Sequence, residues 1–185
     1  MFKHVPNILS AFRILLVPDF AIVYFSNIKN AHNLSLFIFI VANITDVIDG
    51  YIARKYNLIT KVGTVLDPLA DKLMQLTVLI CLTIDGFIPI WLTLVILGLE
   101  MGMIIAGSYM YLREHSTVIP SNTFGKSATI LFALAMFISI LFPDSLASLI
   151  LVISALTLKL LALGSYVHNY YTKIKPKLPM NESKS

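Results

Sequence analysis

The chain has 185 residues, 57% hydrophobic and only 13% charged, with a net charge of +4 and a mean hydropathy of +0.83. A soluble domain carries about 25% charged residues, so half of the usual polar surface is missing and the expected solvent is a bilayer. A lone cysteine, Cys81, excludes an internal disulfide and a cysteine-based metal site, and no basic run interleaved with aromatics points to nucleic acid.

Six apolar stretches are predicted as helices, over about 8–25, 34–54, 66–84, 88–112, 123–142 and 145–170. Each is near or above the ~20 residues that cross hydrocarbon. The first is the weakest, because Arg13, Pro18 and Asp19 interrupt it. The N-terminal stretch is not a secretory signal, since it lacks a small-residue cleavage site and runs into an Asp. Breakers separate the helices: Pro6-Asn7, Asp85-Gly86 before Pro89, Pro120-Ser121-Asn122, and Phe142-Pro143-Asp144. Asp144-Ser145 has the form of a cap for the last helix. Tyr109, Tyr111, Tyr166, Tyr170 and Tyr171 fall near helix ends, as interfacial anchors do.

The expected fold is therefore an all-α integral membrane protein, a bundle of six transmembrane helices with a short interfacial segment at its start. One membrane domain covers 1–172, and 173–185 is a basic, disordered tail. Lysines and arginines gather at the termini and in the second and fourth connections, whereas the first, third and fifth carry only Lys29. The positive-inside rule then places both termini on the cytoplasmic side, in a multi-pass protein of the cell membrane.

The stretch 46–71 holds the most informative pattern. Asp46, Asp49, Asp67 and Asp71 sit in an otherwise oily region with Gly50, Ala53, Arg54 and Gly63 at fixed spacing. A carboxylate in hydrocarbon costs a few kcal/mol, so these four must be paired, hydrated or metal-bound. Asp46 and Asp49 are three apart and Asp67 and Asp71 four apart, so each pair shares one helix face. Two such faces together make an oxygen cage for hard divalent cations. Carboxylates at a helix end also mark the water boundary, and acidic residues inside helices also line ion paths. Ion translocation has no need of the glycines, Ala53 or Arg54.

The segment D-x-x-D-G-x-x-A-R followed by G-x-x-x-D-x-x-x-D resembles the signature of the CDP-alcohol phosphatidyltransferases, with all eight positions present. The resemblance implies displacement of CMP from a CDP-linked lipid by an alcohol, with magnesium or manganese, as two ions, and a homodimer. A polar cavity should open to the cytoplasm with the carboxylates at its floor. For that chemistry Asp46, Asp49 and Asp67 are metal ligands, and Asp71 a ligand or the base. Gly50 and Ala53 leave room for cytidine or phosphate beside the helix. Arg54 can bind phosphate with its fork, and Gly63 lets the connection approach the nucleotide. The resemblance further suggests that Asp71 takes the proton of the attacking hydroxyl and that Thr60 contacts the nucleotide.

Other elements extend the likeness. Pro6-Asn7-Ile8-Leu9-Ser10-Ala11-Phe12-Arg13 resembles the opening of bacterial phosphatidylglycerophosphate synthases in that family, which makes Asn7 and Ser10 candidates for holding the nucleotide. A capped helix start accounts for the same residues, and Arg13 either reaches a phosphate or snorkels to the interface. Phe124-Gly125-Lys126 resembles an element of the same synthases and puts Lys126 beside an acidic acceptor; a positive-inside lysine is the plainer reading. It is not a P-loop, lacking the upstream glycine and strand.

Glu100 needs a partner in a membrane helix. Where glycerol-3-phosphate users of the family carry an arginine before it, this chain has Leu99, so Arg113 and Lys126 are the candidates to bind the acceptor phosphate, and Glu100 is itself a candidate on the acceptor side. Asp19 and Lys159 are oddly placed charges that either pair with each other or leave Lys159 to snorkel. His4, His32, His115 and His168 share no ligand spacing, so zinc is not expected. The reading is transfer from CDP-diacylglycerol to glycerol 3-phosphate. The alternatives are cardiolipin synthesis with phosphatidylglycerol as acceptor and, in another class, an ion or lipid transporter.

Overall fold

A computed structural model describes residues 5–56, 63–113 and 123–169. Within these the side chains of 5–8, 54, 63–68, 104–113, 123, 124, 126 and 166–169 lie outside the description. The described residues form six helices and no strand: α1 Val5–Tyr24, α2 Ala31–Lys55, α3 Gly63–Ile84, α4 Ile90–Arg113, α5 Thr123–Leu141 and α6 Leu146–Asn169. Their bounds fall within a few residues of those expected from hydropathy. The tail after 173 lies outside the described residues.

Local chemistry sets the ends. Pro6 falls in the first turn of α1, where a missing N–H costs nothing. Gly86 adopts a φ of 82° and ends α3 in a Schellman motif. Phe87 N–H donates to the Leu82 carbonyl at 3.0 Å and Gly86 N–H to that of Thr83 at 3.0 Å. This is the Asp85-Gly86 breaker at work. Ser145 caps α6, its hydroxyl oxygen accepting the Ala147 N–H at 3.2 Å.

α1 packs against α2 and α3, and α5 against α6; α2 and α3 also meet α5, while α4 touches α3 and α6. Phe20, Phe39, Met74, Val78, Leu82, Ile96, Phe132, Met136 and Val152 interlock as the buried core. The outside is apolar as well: Leu15, Phe37, Val47, Ile80, Leu94, Ile130 and Leu160 are exposed. Exposed apolar side chains on all six helices mark a surface suited to lipid contact. Among the described residues two helices, over Ala31–Ala53 and Leu146–Ser165, are long and apolar enough to cross a membrane by length and composition.

Asp46 and Asp49, in the C-terminal half of α2, meet Arg13, and Asp71, in the N-terminal half of α3, lies within electrostatic reach of Asp46 and Arg13, so these parts of the two helices share one end. A surface pocket of about 470 Å³ lies at the other end, lined by residues including Tyr24, Lys29, His32 and Asp85. Along α2 the 18 residues from Ala31 to Asp49 separate the two ends by about 27 Å.

Candidate active site

Arg13 is the side chain around which the carboxylate end is built. It is 1% exposed, and its guanidinium fork meets both aspartates of α2. Nη1 lies 2.6 Å from Asp46 Oδ1 and Nη2 pairs with Asp49 Oδ2. The spacing of three places both carboxylates on the α2 face that packs against α1. Asp49 is buried, whereas Asp46 is 41% exposed. A buried arginine joined to two carboxylates is neither snorkelling nor a surface anchor; it balances charge inside the bundle.

On α3, Asp71 accepts two hydrogen bonds from Gln75 Nε2, at 3.0 and 3.2 Å. Asp71 lies within electrostatic reach of Asp46 and Arg13, so the two helices present their carboxylates to a shared region. Gln75 is one turn along α3 and itself buried, so it fixes the carboxylate's direction. Ser10 is buried on α1, one turn before Arg13. Gly50 and Ala53 are half-buried on α2 beyond Asp49.

A second charged cluster adjoins the first. Glu100 of α4 pairs through Oε2 with Lys72 Nζ and through Oε1 with Lys159 Nζ. Lys159, on α6, is buried and lies over the Phe132 ring of α5, 3.7 Å from its centre. Lys72 is 32% exposed. This corrects the expectation for Lys159: it neither snorkels nor pairs with Asp19. Asp19 is exposed on α1, and α1 and α6 make no contact among the described residues. The partner that Glu100 requires is thus a pair of lysines. With Arg13 and its aspartates, side chains from all six helices shape one polar region.

Thr60 lies outside the described residues. Asn7, Arg54, Asp67, Arg113 and Lys126 fall on helices, but their side chains lie outside the description. Gly63 is the first residue of α3 rather than part of the connection before it.

Sequence reasoning missed Gln75 and Lys72, left Arg13 a snorkelling option that its burial removes, and gave Lys159 the wrong surroundings. The signal for the first two was present: Gln75 follows Asp71 by one helical turn, and Lys72 is its immediate neighbour in an apolar helix.

The donor chemistry fits a hard divalent cation. Asp46, Asp49 and Asp71 offer only carboxylate oxygens, and their common region already draws in a guanidinium. Among the described side chains no three of His, Cys, Asp or Glu converge on a single point. Arg13 stands among the α2 carboxylates there.

The family model for CDP-alcohol phosphatidyltransferases matches residues 3–167. The chain belongs to that family. It is an enzyme, a phosphatidyltransferase of phospholipid biosynthesis. The family is membrane-bound and uses divalent metal ions, and the transporter alternative gives way to it.

Among curated relatives, the CDP-diacylglycerol–glycerol-3-phosphate 3-phosphatidyltransferase of Rickettsia bellii is 35% identical over 161 residues, covering 83% of this chain and 88% of its own. The protein of that name from Bacillus subtilis is 36% identical over 138 residues, covering 68% and 70%. A cardiolipin synthase and mitochondrial hydrolase fusion protein from Schizosaccharomyces pombe is 39% identical over 105 residues, or 57% of this chain and 17% of its own.

Proposed function

We propose that the protein transfers the phosphatidyl group of CDP-diacylglycerol to glycerol 3-phosphate, releasing CMP and forming phosphatidylglycerophosphate. The observation that carries this acceptor is the near end-to-end similarity to relatives named for it, at 83% of this chain and 88% of the Rickettsia bellii protein. Cardiolipin synthesis from phosphatidylglycerol is the second reading, favoured by Leu99 and by the fission-yeast match over 105 residues.

In the proposed reaction the acceptor hydroxyl oxygen attacks the phosphorus that bears the diacylglycerol. A P–O bond forms there as the bond to CMP breaks. Asp71, held by Gln75, takes the hydroxyl proton. Asp46, Asp49, Asp67 and Asp71 would hold magnesium or manganese, two ions. When bound, these supply Lewis-acid neutralisation of charge on the diphosphate. Asn7, Ser10, Gly50, Ala53, Arg54, Thr60 and Gly63 are assigned to the CDP-lipid, and Lys126 and Arg113 to the acceptor side. The buried Asp49–Arg13 pair keeps the α2 face fixed in direction.

The membrane arrangement proposed with it is six crossings, residues 1–172 as the catalytic unit and 173–185 as a cytoplasmic tail. Both termini and a polar cavity face the cytoplasm. The distribution of lysine and arginine supports that orientation. A homodimer is proposed from the family resemblance.

The test is CMP release by purified protein from CDP-diacylglycerol with magnesium or manganese, offering glycerol 3-phosphate and phosphatidylglycerol in turn. Release with glycerol 3-phosphate is the expected result; release with phosphatidylglycerol alone moves the second reading to first. Arg54→Ala is expected to weaken CDP-diacylglycerol binding by about tenfold, the worth of one charge-assisted phosphate contact. Unchanged affinity would leave Arg54 as a topology anchor only.

A further inference from the structure

The polar region divides into two electrostatic halves. Around Arg13 the carboxylates Asp46, Asp49 and Asp71 outnumber the one cation, and that half suits metal. Around Glu100, among the described side chains, the balance reverses, with two lysines meeting one carboxylate. The surplus positive charge lies among helices where an unbalanced ion is costly. Asp71 is within electrostatic reach of Lys72 and Lys159, but its carboxylate oxygens take their hydrogen bonds from Gln75. The lysine half can therefore accept an anion.

The two lysines are not equivalent. Lys159 is buried between Glu100 and the Phe132 ring, which fixes it in place. Lys72 is 32% exposed and hangs on a flexible stem whose ammonium can change partners. It also directly follows Asp71 on α3, and successive helix residues diverge by about 100°. An acceptor with a hydroxyl at one end and a phosphate at the other could thus present its hydroxyl to Asp71 and its phosphate to Lys72.

We infer that Lys72 binds the phosphate of the acceptor, and that Glu100 holds Lys72 in the empty enzyme as a built-in stand-in for that phosphate. Lys159 is a positioning residue: it retains Glu100 when Lys72 leaves. The inference rests on the proposed reaction and adds Lys72 to Lys126 and Arg113 as a residue that reads the acceptor's charge. An anionic group at Lys72 could also come from the CDP-lipid diphosphate, and the two sources separate kinetically.

The experiment measures initial rates of CMP release in detergent while each substrate is varied. Lys72→Gln should raise KM for glycerol 3-phosphate by roughly 10- to 100-fold, the loss of one charge-assisted contact. KM for CDP-diacylglycerol should stay within about twofold, because that lipid is assigned elsewhere. Lys72→Arg, which keeps the charge, should recover most of the loss. Glu100→Gln removes the stand-in and should lower KM for glycerol 3-phosphate.

An unmoved acceptor KM in Lys72→Gln overturns the inference. A rise in KM for CDP-diacylglycerol alone, or in both together, also overturns it and assigns Lys72 to the diphosphate. A raised acceptor KM in Glu100→Gln overturns the stand-in role. No CMP release by the unsubstituted protein with glycerol 3-phosphate overturns the underlying reaction before any variant is compared.

Discussion

Replacing Asp71 with asparagine is expected to lower turnover by roughly 10²- to 10⁴-fold, the range that a positioned general base contributes. The side chain keeps its size and can still meet Gln75, which donates to it at 3.0 and 3.2 Å. What disappears is the ability to take a proton, together with one negative charge facing Asp46 and Arg13. Binding of CDP-diacylglycerol should change only a few-fold, because Arg54 and the α2 carboxylates are untouched. The check is single-turnover CMP release beside equilibrium binding of the CDP-lipid. Turnover close to that of the unsubstituted protein would remove Asp71 from the role of base. A parallel loss of lipid binding would make it chiefly a ligand of the metal.

A milder variant separates positioning from chemistry at the same place. Gln75 touches Asp71 but, in this reading, neither substrate. Its loss should therefore act through the direction of the carboxylate, lowering kcat more than it raises either KM.

The fold was largely legible because hydropathy dominates it. Long apolar stretches broken by Pro6, Asp85-Gly86 and Phe142-Pro143-Asp144 give six helices whose ends match to within a few residues. Caps were readable for the same reason, since Ser145 and Gly86 act on their immediate neighbours. The site was legible only along single helices. Spacing puts Asp46 and Asp49 on one face, and that relation survives in the structure; on α3 sequence reasoning stopped at Asp67 and Asp71 and passed over Gln75 one turn further on. Spacing says nothing about which face meets which helix.

That gap explains why neither cation was matched to its partner. Arg13 lies 36 positions from Asp49, and Lys159 lies 59 from Glu100. Their pairing depends on α1 lying against α2 and α4 against α6. Asp19 and Lys159 are both odd charges in apolar helices, yet α1 and α6 do not touch among the described residues. Physical need identified a missing partner for Glu100, but only packing could name it.

The second large effect concerns Arg13. Arg13→Met keeps much of the volume and removes the charge, leaving Asp49 buried beside Asp46 with its cation gone. Stripping one partner from a buried pair costs about 3–5 kcal/mol, because the other charge stays desolvated. The variant should therefore unfold at a clearly lower temperature than the parent in detergent with chelator present. A divalent cation bound to the folded state alone stabilises by mass action, and the variant exposes carboxylates that Arg13 no longer neutralises. Manganese or magnesium should accordingly raise the melting temperature of Arg13→Met more than that of the parent. Asp46→Asn in the same background should reduce that gain, since it withdraws one oxygen donor of charge. Thermal unfolding followed with and without chelator measures all three proteins. If Arg13→Met melts with the parent, Arg13 is not the counter-ion that holds α1 to α2. If it melts low and metal gives no added protection, the α2 carboxylates do not take the cation, and the metal must be held from α3.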